Sequence, residues 1–410
     1  MDNTKYFPAV EDIQKASGVL EEILEPTPLQ KNPNLSDVYD AQVYLKREDL
    51  QMVRSYKIRG AYNKIRSIAP EVLKYGIVCA SAGNHAQGVA FSCNKLHIMG
   101  SIYMPVTTPR QKIEQVRMFG KEYIDIVLVG DTFDAANAAA IEYAKKSGKT
   151  FIPPFDDQKI IEGQGTIGYE ILSQAKVAPD YVFVPIGGGG LISGIAFTLK
   201  SVNPSIKVYG VQAAGAPSMY NSVKDGKIER LGSVSTIADG IAVKKPGQNT
   251  YALCNQYVDG IVTVTDDEIS AAILALMEKQ KLVAEGAGAV AVAAVMFNKV
   301  PVKGKKVVCL VSGGNIDVTI LSRVIKRGLL MSGRTAQLMI ELVDKPGQLK
   351  NVSRIIADLG GNVISVHHER ASEGSDVNGC YLRITMETRN YDHVLEIKEA
   401  LKAEGFKIVE

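Results

Sequence analysis

The sequence lacks long apolar runs and dense basic clusters. No uninterrupted apolar run reaches the roughly 20 residues that a membrane-spanning helix needs, and the richest segment, 287–297, predicts a short buried helix. No block of lysine and arginine stands out, and the net charge is only +3 over 410 residues. We therefore expect neither a membrane protein nor a partner of nucleic acid.

Cysteine is also scarce. The five cysteines lie at positions 79, 93, 254, 309 and 380, with no close pairing. The first residues are polar, and no apolar core of a secretory signal follows them. An odd number of cysteines without such a signal is typical of a reducing compartment rather than a disulfide framework. The sequence therefore predicts a cytoplasmic location.

What the sequence does contain is an alternation of strand and helix patterns. The length allows more than one domain, because single hydrophobic cores stop growing near about 250–300 residues. Buried-type strands alternate with helical segments as far as residue 327, which predicts an α/β domain with mostly parallel sheets covered by helices. We expect this domain to span 1–327, with a smaller subdomain inserted at about 50–155.

A different pattern follows from residue 335 onward. Residues 328–334 are expected to form a linker. Residues 335–410 then give a strand, helix, strand, strand, helix and strand in that order. This βαββαβ order is typical of a ferredoxin-like domain.

Three polar or glycine-bearing segments, 81–88, 187–191 and 312–315, follow predicted strands of the first domain. Open α/β sheets place ligands at the carboxyl ends of their strands. Four consecutive glycines between a strand and a helix offer free backbone amides to a phosphate, although a flexible turn is the alternative. No Lys-Ser/Thr pair follows them, so they do not form a nucleoside-triphosphate loop.

Single residues in the other segments are weaker signals. Lys57 alone is typical of a solvated lysine, and Ser312 alone of a turn. The 81–88 loop offers donors to a carboxylate, and Asn84 can also donate to a phenolic oxygen, but a helix cap uses the same residues. His85 alone is more typical of a structural hydrogen bond than of catalysis. Together, a lysine amine, a glycine cradle, a polar loop and a hydroxyl suit pyridoxal phosphate.

The combination resembles the threonine dehydratases, which are fold-type II pyridoxal-phosphate enzymes, over nearly the whole chain. The motifs are Ser55-Tyr56-Lys57-Ile58-Arg59-Gly60-Ala61, Ser81–Gly88, Gly187–Leu191, Thr236–Val243 and Ser312-Gly313-Gly314-Asn315. The resemblance implies that Lys57 holds the cofactor and takes the substrate's α-proton. It implies cofactor contacts from Lys57, Asn84, Gly187, Gly188, Gly189, Gly190, Leu191, Gly240 and Ser312, and substrate contacts from Ser81, Ala82, Gly83, Asn84 and His85.

Two positions distinguish the chain from the related serine racemases. Those enzymes carry a second serine in the substrate loop as a base on the opposite face of the ring, where this chain has Ala82. They also use an acidic residue as a divalent-metal ligand, where this chain has Gln212. We therefore expect a dehydratase without a divalent metal, while a monovalent cation remains open.

The C-terminal domain resembles an ACT domain through Asp344-Lys345-Pro346-Gly347-Gln348-Leu349. The resemblance implies an amino-acid effector, with a branched-chain amino acid as the first expectation, held by Asp344, Pro346 and Gly347. Pro346 is expected at the first helical position. A purely structural pairing module is the alternative. His367 and His368 are interpreted as surface strand residues, because neighbours on a strand point to opposite faces.

The resemblance implies conversion of L-threonine to 2-oxobutanoate and ammonia, with L-serine as a secondary substrate. Isoleucine synthesis is the expected pathway, and a homodimer or homotetramer is the expected assembly. Two alternatives stay open: a catabolic serine/threonine dehydratase, and an amino-acid sensor with a degenerate catalytic core.

Overall fold

The computed structural model describes residues 6–370 and 379–409. The chain divides into two compact units, Met1–Asp317 and Val318–Glu410. The first unit contains helices and strands in alternation, and the second contains one antiparallel sheet with its helices. Among the described residues, no helix is both long and apolar enough to cross a membrane.

The first unit begins with elements that lead into its smaller sheet. They are α1 (Val10–Glu21), β1 (Leu29–Lys31), α2 (Pro33–Tyr39), β2 (Gln42–Arg47), α3 (Lys57–Arg66), α4 (Pro70–Leu73), β3 (Ile77–Ala80), α5 (Asn84–Leu96), β4 (Gly100–Met104), α6 (Arg110–Gly120), β5 (Ile124–Leu128), α7 (Phe133–Ser147) and β6 (Thr150–Phe151). Four of these strands form a parallel sheet in the order β5-β4-β3-β6. Its strands come from the region that was expected to form the inserted subdomain.

The rest of the unit completes a larger sheet. Its elements are α8 (Gln158–Gln174), β7 (Tyr181–Pro185), α9 (Gly190–Val202), β8 (Lys207–Ala213), α10 (Ser218–Lys224), α11 (Gln248–Tyr257), β9 (Gly260–Val264), α12 (Asp266–Gln280), α13 (Gly286–Met296) and β10 (Lys306–Val311). The sheet order is β1-β2-β10-β7-β8-β9, with only β1 antiparallel to its neighbour. β7 and β10 lie at its centre. They are apolar, because helices cover both faces of a parallel sheet.

A buried ion cluster fixes the start of α3. The guanidinium of Arg59 donates two hydrogen bonds of 2.8 Å to Glu48 and lies 2.6 Å from a carboxylate oxygen of Glu170. Burial alone would raise the pKa of Glu48, but the charges of Arg59 and Lys46 lower it below its ordinary value. The carboxylate is therefore ionised and holds α3 two residues beyond Lys57.

The second unit contains α14 (Val318–Met331), β11 (Thr335–Val343), α15 (Gln348–Asp358), β12 (Asn362–Glu369), β13 (Gly379–Glu387), α16 (Tyr391–Ala403) and β14 (Lys407–Val409). Its antiparallel sheet has the order β12-β13-β11-β14. Alternate residues of β11 and β13 are buried, and they pack against apolar residues of α15 and α16. The predicted fold class, a parallel α/β core followed by a βαββαβ domain, is confirmed.

Two local predictions for this unit were wrong. The segment 328–334 was expected to be a linker, but its first four residues are the last turn of α14, whose pattern places Val324 in a buried position. Pro346 was expected at the first helical position, but α15 begins at Gln348. Gly347, not Pro346, directly precedes the helix, and it has φ +94°. A proline could not occupy this position, because its ring fixes φ near −65°.

Candidate active site

A cavity of about 770 Å³ lies in the first unit. It is lined by segments that follow strands of both sheets, at the edge where parallel α/β sheets bind ligands. The lining includes Lys57, the loop Ser81–His85 after β3, the segment Gly187–Leu191 after β7, and Gly240. Residues that are more than 180 positions apart in sequence therefore share one cavity.

Lys57 is the first residue of α3, and its position is fixed from both sides. The amide of Tyr56 donates to the carbonyl of Ser312 at 3.1 Å, and Ser55 forms a bridge with Gly313. The Lys57 amine donates to the carbonyl of Pro154 at 2.6 Å. The start of α3 is thus attached to the segment that follows β10.

The environment of Lys57 favours its neutral amine. Burial lowers the pKa of Lys57 from its ordinary 10.5 to about 8, although the negative charge of Glu285 acts in the opposite direction. Only the neutral amine has a free lone pair. Lys57 therefore has a substantial neutral fraction near pH 8, as a nucleophile or general base requires.

The four glycines form a bend at the wall of the cavity. Gly189 has φ +99°, and α9 begins directly after it. A Cβ at Gly189 would lie 2.6 Å from Met219 Cε and 2.8 Å from Thr250 Cβ. The first amides of a helix have no partners within the helix and carry a partial positive charge. This bend therefore suits the phosphate of a cofactor that lies in the cavity.

The loop after β3 supplies polar groups to the same cavity. Ser81, Ala82, Gly83, Asn84 and His85 all line it. The hydroxyl of Ser81 accepts a hydrogen bond from the amide of Gly83 at 3.2 Å. Asn84 is the first residue of α5, so the loop also ends at a helix N-terminus that favours a carboxylate.

His85 is held in a structural role by its side chain. Its Nε2 lies 3.0 Å from the carbonyl oxygen of Ile152, to which the neutral ring donates. Burial, with a smaller contribution from the positive charge of Lys57, lowers the pKa of His85 to about 3. The imidazole stays neutral and its donor is engaged, so a bond from His85 to a substrate carboxylate would come from its backbone amide.

Two cofactor residues predicted from sequence differ in where the structure places them. Gly240 lines the cavity. Ser312 is buried and is not among the lining residues; its hydroxyl donates to the carbonyl of Ala287 at 3.3 Å. The structure therefore brings Gly240 to the cavity and leaves the Ser312 hydroxyl behind its wall, while the contact of Ser312 with a ring nitrogen stays a prediction.

Glu285 is a site residue that the sequence analysis missed. Its carboxylate accepts a hydrogen bond of 2.7 Å from the side-chain amide of Asn84, whose own oxygen accepts one of 2.7 Å from Asn315. Burial, together with repulsion from Asp239, raises the pKa of Glu285 to about 7, although the bond from Asn84 opposes this. The sequence held one signal for this residue, namely its position as an acidic residue just before the apolar segment 287–297.

These residues fit pyridoxal phosphate. The bend at Gly187–Gly190 has backbone amides and no side chains, as a phosphate requires. Lys57 lines the same cavity, and its amine can act as the nucleophile toward the aldehyde of the cofactor. Asn84, in the loop that lines the same cavity, donates to the carboxyl group of Glu285.

Comparison with known families identifies the class of protein. Residues 20–313 match the family described as pyridoxal-phosphate dependent enzymes, and residues 336–405 match the ACT domain. The chain belongs to the pyridoxal-phosphate dependent enzymes, and it carries one ACT domain. The predicted cofactor and the predicted C-terminal domain type are confirmed.

Individual relatives narrow this class. The chain is 46% identical to L-threonine ammonia-lyase of Thermotoga maritima, over 97% of this chain and 98% of the relative. It is 45% identical to the biosynthetic L-threonine dehydratase IlvA of Halalkalibacterium halodurans, over 97% and 95%. The solved structure of processed threonine deaminase isoform 2 from Solanum lycopersicum has a TM-score of 0.72 and 41% identity, over 79% of this chain and 90% of that one. The predicted resemblance to threonine dehydratases is confirmed.

The pKa of Lys57 predicts how cofactor uptake depends on pH. Attachment needs the neutral amine, so the rate should rise about tenfold per pH unit below the pKa near 8 and level off above it. Stopped-flow absorbance after mixing cofactor-free protein with pyridoxal phosphate measures this rate. Glu285→Gln removes a negative charge that raises the pKa of Lys57. In this variant, the inflection in the plot of attachment rate against pH should therefore move to lower pH.

A matched control uses a carboxylate at the rim of the same cavity. Asp134 lines the cavity but pairs with Arg230 at 3.0 Å and Lys244 at 3.2 Å. Asp134→Asn should therefore leave the inflection where it is. An inflection near pH 10.5 in the unaltered protein would contradict the assignment of a perturbed amine.

Proposed function

We propose that this protein converts L-threonine to 2-oxobutanoate and ammonia as the first step of isoleucine biosynthesis, and that L-serine is a secondary substrate. The observation that carries the proposal is the amine of Lys57 in one cavity with the glycine bend. The names of the full-length relatives, L-threonine ammonia-lyase and biosynthetic L-threonine dehydratase, support the substrate and the pathway.

Different residues of the cavity bind the substrate and transfer the proton. When bound, pyridoxal phosphate withdraws electrons from the α-carbon of the substrate. The amides of the Ser81–His85 loop, at the start of α5, bind the substrate carboxylate. The neutral amine of Lys57 then accepts the α-proton at Nζ. The β-hydroxyl leaves with a proton as water, and hydrolysis of the resulting enamine consumes one water and gives 2-oxobutanoate and ammonia.

The identity of residue 82 supports elimination over racemisation. Racemisation needs a second base that returns a proton to the opposite face of the α-carbon. Ala82 lines the cavity and has no titratable group. The second base of the racemases therefore has no counterpart at this position, and a reaction that ends with loss of the hydroxyl needs only the amine of Lys57.

Steady-state kinetics test the proposal against its alternatives. We expect kcat/KM for L-threonine to exceed that for L-serine, with 2-oxobutanoate and ammonia formed in equal amounts. A preference for serine would favour a catabolic serine/threonine dehydratase. Absence of turnover from a protein that still binds the cofactor would favour an amino-acid sensor with a degenerate core.

The ACT domain is proposed to bind a branched-chain amino acid, isoleucine or valine, at the turn Asp344–Gly347. Asp344 is exposed at the end of β11, and Gly347 precedes α15 with open space around its Cα. An open turn of this kind lets the polar backbone of a small ligand approach closely. A homodimer or homotetramer and a cytoplasmic location remain predictions from the sequence.

Gly347→Ala should raise the concentration of isoleucine or valine needed for half-maximal effect on threonine turnover at least tenfold. The added methyl group would occupy the space through which the ligand approaches. Gly405→Ala is the matched control, because Gly405 has φ +84°, lies in the same unit, and also has nothing within 4 Å of an added Cβ. Equal responses of the two variants would contradict the assigned turn.

A further inference from the structure

Three side chains with metal-binding atoms meet at one end of the C-terminal sheet. They are Asp344, directly after β11, His368 near the end of β12, and Cys380 near the start of β13. One ligand atom from each lies within 4.8 Å of the other two. The Nε2 of His368 lies 2.9 Å from the Sγ of Cys380.

The sheet topology brings these residues together. Cys380 pairs with Leu342 across β13 and β11, so that Asp344 follows two residues beyond this pair. β12 is antiparallel to β13 on the other side, and His368 pairs with Leu382. Each of three adjacent strands therefore contributes one ligand, and the hydrogen bonds of the sheet limit how far the three can separate.

We propose that Asp344, His368 and Cys380 form a binding site for one divalent cation of the zinc class. A carboxylate, an imidazole and a thiolate are ligands that zinc accepts, at about 2.0–2.3 Å. Tetrahedral bonds of that length place ligand atoms about 3.3–3.8 Å apart. The three ligand atoms now lie within 4.8 Å of one another, so side-chain movements of about 1 Å would bring them to this spacing. Asp344 and His368 are exposed and therefore have the freedom to move.

The thiol selects the class of metal. Thiolate and imidazole favour zinc and similar transition metals over magnesium or calcium, which prefer oxygen ligands. Cys380 is 1% exposed, so its sulfur is covered by the apolar residues of the sheet and helices. With three protein ligands, the fourth position of a tetrahedral site would be taken by water or by another ligand.

One interaction competes with the cation. Arg370 lies 3.1 Å from the carboxylate of Asp344; its side chain is 70% exposed and that of Asp344 is 37% exposed. Exposed ion pairs of this kind contribute about 0–1 kcal/mol. Asp344 therefore exchanges one partner for the other at little cost, and Arg370→Ala should strengthen cation binding severalfold.

The cation would also act on the proposed effector turn, which begins at Asp344. Metal ligation would join the end of β11 to β12 and β13 and so fix the first residue of that turn. Binding of effector and of cation should then influence each other to the same extent, since coupling between two sites is reciprocal. The cation site itself does not depend on the proposed catalytic function.

Equilibrium dialysis of the full-length, cofactor-loaded protein tests the proposal. The reduced protein is stripped of metal with a chelator and dialysed against Zn²⁺, and bound zinc is measured by elemental analysis. We expect one high-affinity zinc per chain, and a dissociation constant raised at least tenfold in His368→Ala, Cys380→Ser and Asp344→Asn. Co²⁺ should give a thiolate-to-metal charge-transfer band that Cys380→Ser removes.

His367→Ala is the matched control, because His367 is the exposed neighbour on the same strand and points to the other face. It should bind zinc like the unaltered chain. Absence of stoichiometric zinc, or undiminished binding in His368→Ala and Asp344→Asn, would overturn the proposal. Both of those residues are exposed, so the test does not depend on the folding of a variant at the buried Cys380.

Discussion

Lys57→Ala should lower threonine turnover by at least about 10³-fold, since both covalent attachment and proton transfer depend on this amine. The visible absorbance that accompanies covalent attachment of the cofactor should also disappear. The physical reason is that the amine of Lys57 is positioned in the cavity by a 2.6 Å hydrogen bond to Pro154 and has a pKa lowered to about 8 by burial.

Lys64→Ala is the control for this variant. Lys64 lies on the same helix, two turns further on, and pairs with Asp157 at 2.7 Å. It is not among the residues that line the cavity. The control should keep both its colour and its turnover. Residual activity of Lys57→Ala within tenfold of the unaltered protein would disprove the role of Lys57.

The sequence predicted that the segments that follow strands would share one site, and the structure brings them to one cavity, while the ligands that they bind stay predictions. A glycine run after a buried strand has a defined place in a parallel α/β sheet, whatever the details of packing. Gly187–Gly190 and the Ser81–His85 loop could therefore be assigned to one site before any distance was known. Lys57 was harder to assign, because a single lysine at the start of a helix is also typical of solvent exposure.

Glu285 could not be predicted because its environment is built by distant parts of the chain. Its hydrogen-bond partner Asn84 lies 201 residues earlier, and its pKa depends on burial and on Asp239. No local pattern contains this information. The same holds for the sulfur of Cys380, whose nearness to His368 depends on the pairing of β12 with β13.

The boundaries around residues 328–347 were mispredicted for a local reason. The sequence from Arg327 to Arg334 contains two glycines, which favoured a linker, yet the apolar spacing that builds α14 continues to Met331. Proline is common at the first position of a helix, but the chain reverses at Gly347 and starts α15 one residue later. The glycines and the proline thus indicated that one helix ends and another begins nearby, but not at which residue.

Gly189→Ala should raise the dissociation constant of pyridoxal phosphate at least about 100-fold, equivalent to about 2.7 kcal/mol. The new methyl group would meet Met219 and Thr250 at 2.6 and 2.8 Å, in addition to the strain of φ +99°. The end of the Met219 side chain can move aside, but Thr250 Cβ is attached directly to the backbone. Relief of that contact therefore requires the bend to open, which moves the amides at the start of α9 away from the phosphate. Fluorescence titration of cofactor-free protein measures the change.

Gly148→Ala separates this collision from backbone strain. Gly148 has φ +72° at the end of α7, and nothing lies within 4 Å of an added Cβ. In both variants, the left-handed alanine lowers the free energy of unfolding by about 1–2 kcal/mol. Only Gly189→Ala also distorts the bend. Thermal denaturation should show a loss of stability in both, and a larger one in Gly189→Ala because of the added collision. Equal cofactor affinity in the two variants would mean that the phosphate binds elsewhere in the cavity, because the bend would then have no influence on its binding.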